Sequence, residues 1–216
     1  MKFSLFSITA LAACAFAAPI AETPKEPRGL PVHDTVTGLI GKLTSIDVTD
    51  TASVVTLLTT VVADVKTQTS AIKGVVADVQ ASKITQAVAI PQVLGYLGAV
   101  NTLILTTVGQ LTGVVGLHIT TADVKAILSL VITLVNEVVA VVQEVVSVLG
   151  LGPALTVILN TVFQTLATLL TLITGLVGGI IPGLISTITP ILESFNGSAL
   201  GPILGPVAGV LEGLTA

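Results

Sequence analysis

Between Val145 and Leu192 the chain runs for 48 residues without a single Asp, Glu, Lys or Arg. Aliphatic surface gains on the order of 25 cal/mol per Å² when it leaves water, so such a stretch must be covered on most sides or lie in something apolar. Disorder is excluded, because it needs low hydrophobicity and high charge. Of the 216 residues, 52% are hydrophobic and only 9% charged, where an ordinary soluble domain carries about 25% charged residues. Eight Lys and Arg against twelve Asp and Glu leave no basic face for nucleic acid.

The spacing of the apolar residues predicts helices. The doublets Val138-Val139, Val141-Val142 and Val145-Val146 recur at helical steps rather than at a period of two. Thr120, three residues before Asp123, predicts a helix start, and Gly150 and Gly152 predict the end of that helix after Leu149. A narrow polar stripe runs along it: Lys125, Ser129, Thr133, Asn136, Glu137, Gln143, Glu144 and Ser147. Pro153 suits the first turn of the next helix, expected to reach about Gly175. Shorter pieces should follow, opened or broken by Pro182, Pro190, Pro202 and Pro206.

From Asp47 to Lys83 the chain is amphipathic, with Asp50 or Thr51 as the cap. The pentamer Val-Val-Ala-Asp-Val occurs at 61–65 and again at 75–79, so Asp64 and Asp78 fall on nearly one helical face, read as solvated. From Ile84 to Ala122 there is no charge; one or two helices are expected there, with breaks near Pro91 and Gly113–Gly116.

The amino terminus reads as a secretory signal. Lys2 is followed by an apolar run from Phe3 to Phe16, with small residues at Ala15 and Ala17, so cleavage is expected after Ala17. The only cysteine, Cys14, would leave with the signal, making the mature chain cysteine-free. Pro19, Pro24, Pro27 and Pro31 mark an extended leader. The expected layout is a signal over 1–17, a Pro-rich leader over 18–34, an amphipathic charged half over 35–122 and a nearly uncharged aliphatic half over 123–216. The expected fold class is all-α, an antiparallel helical bundle of about five to seven helices.

No motif carries chemistry. The two histidines, His33 and His118, cannot build a zinc site without distant carboxylates. Nucleophile-elbow and phosphate-loop patterns are absent, and the Gly175-to-Gly179 stretch reads as a helix break. Asp64 and Asp78 would stand about 21 Å apart on a helix, too far to share a reaction. The expectation is therefore no enzyme, no catalytic or metal-binding residue and no cofactor. Asn196-Gly197-Ser198 is a candidate N-glycosylation sequon. The 48-residue uncharged run could suggest spanning helices, but no Lys or Arg flanks it and the chain has no Trp to form an interfacial belt.

The signal, the Pro-rich leader, the repeated Val-Val-Ala-Asp-Val and the Gly/Val/Leu/Thr-rich rear resemble small secreted fungal surface proteins. Over Asp47–Lys83 the chain is similar in composition to the hydrophobic surface-binding proteins of filamentous fungi. In layout it is similar to the cysteine-free secreted hyphal-matrix proteins of mushrooms. The resemblance implies a secreted helical protein that coats or binds hydrophobic surfaces, supporting hyphal attachment or aerial growth, and transfers no site residue. Expected partners are hydrophobic surfaces or lipids, cell-wall components and further copies of the chain. The rival expectations are a lipid-binding carrier with an apolar cavity between its helices, and a membrane-inserting protein.

Overall fold

The computed structural model describes residues 32–114, 120–177, 180–195, 198 and 200–215, with only the backbone of 32–35 and 215. Among these residues are seven helices and no strand: α1 (Val32–Thr44), α2 (Thr51–Gln80), α3 (Gln86–Leu111), α4 (Thr121–Leu149), α5 (Pro153–Leu176), α6 (Ile181–Glu193) and α7 (Gly201–Thr215). The all-α bundle expected from the apolar spacing is present. Ala17, residues 18–31 of the expected leader, His118, Gly178-Gly179 and Asn196 lie outside the described residues; Val32, His33 and Asp34, expected in the extended leader, instead begin α1.

The helix starts follow from local chemistry. Asp50 caps α2: its Oδ1 accepts from the Ser53 backbone N–H at 2.7 Å, and Ser53 Oγ accepts from the Asp50 N–H at 3.1 Å. Thr120 and Asp123 form the same reciprocal box at α4. Pro153 sits in the first turn of α5. Gly150, at φ 73°, closes α4 in a backbone conformation that favours glycine.

Two expectations about proline are corrected. Pro91 does not break the third helix; α3 runs through it and ends at Leu111, ahead of Gly113 at φ 89°. Pro91 stands in the second turn with its ring exposed, so it forfeits one backbone bond near the helix start. Ala89, Val93 and Leu97 on either side of it remain fully buried and hold the helix together. Pro182 and Pro202 do lie in the first turns of α6 and α7, but Pro190 and Pro206 sit within those helices.

The tertiary arrangement is a stack of helical hairpins. Helices α2, α4 and α6 lie side by side in one layer; α3, α5 and α7 form a second layer, and α1 flanks α3. Helices in one layer run parallel. Glu137 of α4 meets Thr69 and Lys73 of α2, while Gln86 at the start of α3 donates to the Val148 carbonyl at the end of α4. Thr165 of α5 donates to Asn101 of α3 at 2.8 Å.

The first two hairpins repeat one burial register. Leu57, Val61, Val65, Ile72 and Val75 of α2 correspond, 70 residues on, to Ile127, Val131, Val135, Val142 and Val145 of α4, all buried. Ala89, Val93, Leu97, Val100 and Ile104 of α3 correspond, 66 residues on, to Leu155, Leu159, Phe163, Leu166 and Leu170 of α5, also buried. Each hairpin buries its apolar faces against the next, which is how stacked helical repeats share one core. Residues from Val32 onward form one compact unit.

Candidate interaction surface

Charge is distributed by layer, not simply by position along the chain. Helix α2 carries Asp64, Lys66, Lys73 and Asp78; α4 carries Asp123, Lys125, Glu137 and Glu144; α6 carries Glu193. Helices α3 and α5 carry no charged residue, and α7 carries only Glu212. From α2 to α5 the chain alternates charged and uncharged helices, and folding sets α2 beside α4 and α3 beside α5; α1, with Asp34 and Lys42, flanks α3, and α6 and α7 carry one charge each.

The charged layer is tied across its helices. Lys73 Nζ lies 2.9 Å from Glu137 Oε1, which also accepts from the Thr69 hydroxyl at 2.7 Å. Burial pushes the Glu137 carboxyl up. The hydrogen bonds from Lys73 and Thr69, with the charges of Lys73 and Lys66, outweigh that burial and hold the carboxyl below its ordinary value. The polar stripe predicted on α4 faces water at Lys125, Ser129, Asn136, Gln143 and Ser147, while Glu137 turns toward α2.

Asp64 departs from its expected solvated setting. One carboxylate oxygen, Oδ2, is buried without a hydrogen-bond partner. Burial raises its pKa, opposed by the charge of Lys42 on α1. The corresponding position in α4 is the buried Leu134. Asp78 instead pairs with Lys83 at 3.1 Å in the turn leaving α2.

The folded form holds the Asp64 proton more tightly than the unfolded chain does. Its destabilising effect is therefore absent in acid and sets in as pH rises through the raised pKa. Asp64→Asn should stabilise the protein at neutral pH by less than about 1 kcal/mol, given the partial exposure. The gain should vanish below the ordinary carboxylate range. Urea unfolding of both forms at neutral and acid pH checks this.

The outer face of the uncharged layer is a separate surface. Beyond the exposed Pro153 and Ala154 of its first turn, the exposed residues of α5 are Val157, Thr161, Gln164, Thr168, Thr171 and Gly175, one stripe at steps of three and four. On α3 the matching stripe includes Val88, Pro91, Gly95, Leu105 and Gly109. Among the described residues, Val88, Leu105 and Val157 are the large hydrophobic side chains left most exposed, at 50%, 43% and 67%, and all three belong to this layer. Its threonine hydroxyls are already satisfied: Thr161 donates to the Val157 carbonyl, Thr168 to Gln164 and Thr171 to Ala167.

On the other layer, an open cleft of ≈ 490 Å³ lies between α4 and α6, lined by Asn136, Val139, Ala140, Gln143, Pro190, Ile191, Ser194 and Phe195. Gly183 lets α6 approach α4 closely, since a Cβ there would fall 2.5 Å from Leu128 Cδ2. No group of three or more His, Cys, Asp or Glu stands together among the described residues. His33 lies in α1, and His118 lies outside the described residues.

The chain matches no protein-family model, no curated protein and no solved structure. The linear sequence contains a signal for the repeat: two capping boxes, at Asp50–Ser53 and Thr120–Asp123, stand 70 residues apart.

Proposed function

We propose that this is a secreted structural or interaction protein that coats or binds hydrophobic surfaces. The segregation of charge carries this reading: one helical layer is charged, and the other presents α3 and α5 without a single charged residue. Placing an unpaired charge against an apolar medium costs several kcal/mol, so a charge-free face can meet such a medium where a charged one cannot. The packed core is almost entirely aliphatic, with Phe163 and Phe195 its aromatic members. A fungal cell wall or extracellular matrix, with a part in hyphal attachment or aerial growth, is the setting that the resemblance implies. Depletion from buffer by octyl-coated beads, with little depletion by hydroxyl-coated beads of equal area, is the expected result. Equal binding to both, or to neither, overturns the reading.

A second reading has its own observation. Helices α3, α4 and α5 are long and apolar enough to cross a membrane. Membrane insertion predicts dye release from liposomes, which surface coating does not. The lipid-carrier alternative needs a cavity among the helices; the α4–α6 cleft is open to solvent rather than enclosed. Lipid co-purifying with the protein would favour the carrier.

A further inference from the structure

We infer that the outer face of α3 and α5 is the docking surface, and that its occupant is an uncharged aliphatic surface met with the helices lying flat. This rests on the adsorption reading above and adds which face makes contact, in what orientation, and with what chemistry.

Two observations single out that face, and a third, shared with the threonines of α2, shows that covering it strands no hydroxyl donor. First, α3 and α5 contain no Asp, Glu, Lys or Arg over their whole lengths, so contact with an aliphatic surface dehydrates no charge. Second, Val88, Leu105 and Val157 stand out on it as the most exposed large hydrophobic side chains. Third, Thr161, Thr168 and Thr171 have their hydroxyls bonded to carbonyls of their own helix at 2.9–3.0 Å, so covering them leaves no hydroxyl donor unpaired.

Charge complementarity selects the occupant. An anionic membrane surface is met by Lys and Arg at the contact, and this face has none. A polar polymer would be met by hydrogen-bond donors, and on this face the hydroxyl donors of Thr161, Thr168 and Thr171 are bonded within α5, which leaves the Gln164 amide as the polar group set among Val88, Leu105 and Val157. The two helices run parallel, tied by Thr165 and Asn101, and each spans about 36–39 Å at 1.5 Å per residue, so both stripes can lie on one surface. The opposite layer keeps Lys66 and Lys125 toward water, with Glu144 half-buried.

The test uses the full chain with Cys14→Ser, carrying a single environment-sensitive dye on Thr161→Cys (α5) or on Ser70→Cys (α2). On octyl-coated silica the α5 dye should shift to the blue and be quenched by iodide at least about 5-fold more slowly than in solution. The α2 dye should keep its solution behaviour. The double variant Thr161→Lys/Thr168→Lys, with unchanged far-UV circular dichroism, should lose about 10-fold or more in affinity for octyl silica. Thr59→Lys/Ser70→Lys should bind as the parent does.

If the protein adsorbs but both dyes, or only the α2 dye, are shielded, the docking inference falls while the adsorption reading stands. If no form adsorbs, the adsorption reading falls. Shielding of the α5 dye in solution as concentration rises would identify a second copy as the occupant and overturn the inference. Shielding on phosphatidylglycerol vesicles but not on octyl silica would likewise overturn it.

Discussion

Phe163→Ala should lower the free energy of unfolding by about 3–5 kcal/mol. Phe163 is fully buried on α5, at the register position that Leu97 occupies on α3. Its removal costs the transfer energy of the ring and leaves a cavity among neighbours that relax only in part. In residues 18–216 there is no cysteine, so no disulfide can offset the loss. Net stabilities of single domains are about 5–15 kcal/mol, so one ring is a large share. Urea unfolding followed by circular dichroism measures the change; a loss under about 1 kcal/mol would contradict the packed core described above.

Leu166→Asp should have a larger effect still. Leu166 is fully buried on α5, and its repeat counterpart on α3 is Val100, also buried. The substitution removes apolar contacts and places a carboxylate with no cationic partner on its own helix or on α3, neither of which carries any charge. Together these terms reach roughly the whole stability of a domain. The expected result is loss of the cooperative thermal transition at neutral pH. Lowering the pH until the new carboxyl is protonated should restore part of the helical signal, because the uncharged acid is far less costly to bury.

Particular elements show how much of this was legible in the sequence. The start of α4 at Thr120 and its end at Gly150 follow from capping chemistry, which acts within four residues. The path of α3 through Pro91 was not legible, because burial of Val93 and Leu97 against other helices decides it. The Lys73–Glu137 pair joins residues 64 apart, and only the parallel register of α2 and α4 brings them together.

The candidate surface was half legible. The absence of charge over 84–122 and 145–192 is plain in the sequence, but read along the chain it suggests a charged front and an aliphatic rear. Folding changes that picture: α3, from the front, and α5, from the rear, come to lie side by side. The hairpin repeat is hard to read because its copies share a burial register and not residue identities, as Leu97 with Phe163 and Val100 with Leu166 show. Asp64 misleads for a related reason. Its place in the repeated pentamer gives the helical face but not the proximity of α1 and Lys42.

Polarised infrared spectroscopy of the film formed on an octyl-silane crystal most directly tests the central claim, that the folded bundle adsorbs to an apolar surface. The account predicts a film on the octyl surface, little on a hydroxylated one, an amide band that remains helical, and dichroism showing helix axes in the plane of the surface. A film of equal density on both surfaces, a conversion to strand, or helix axes standing upright would contradict it.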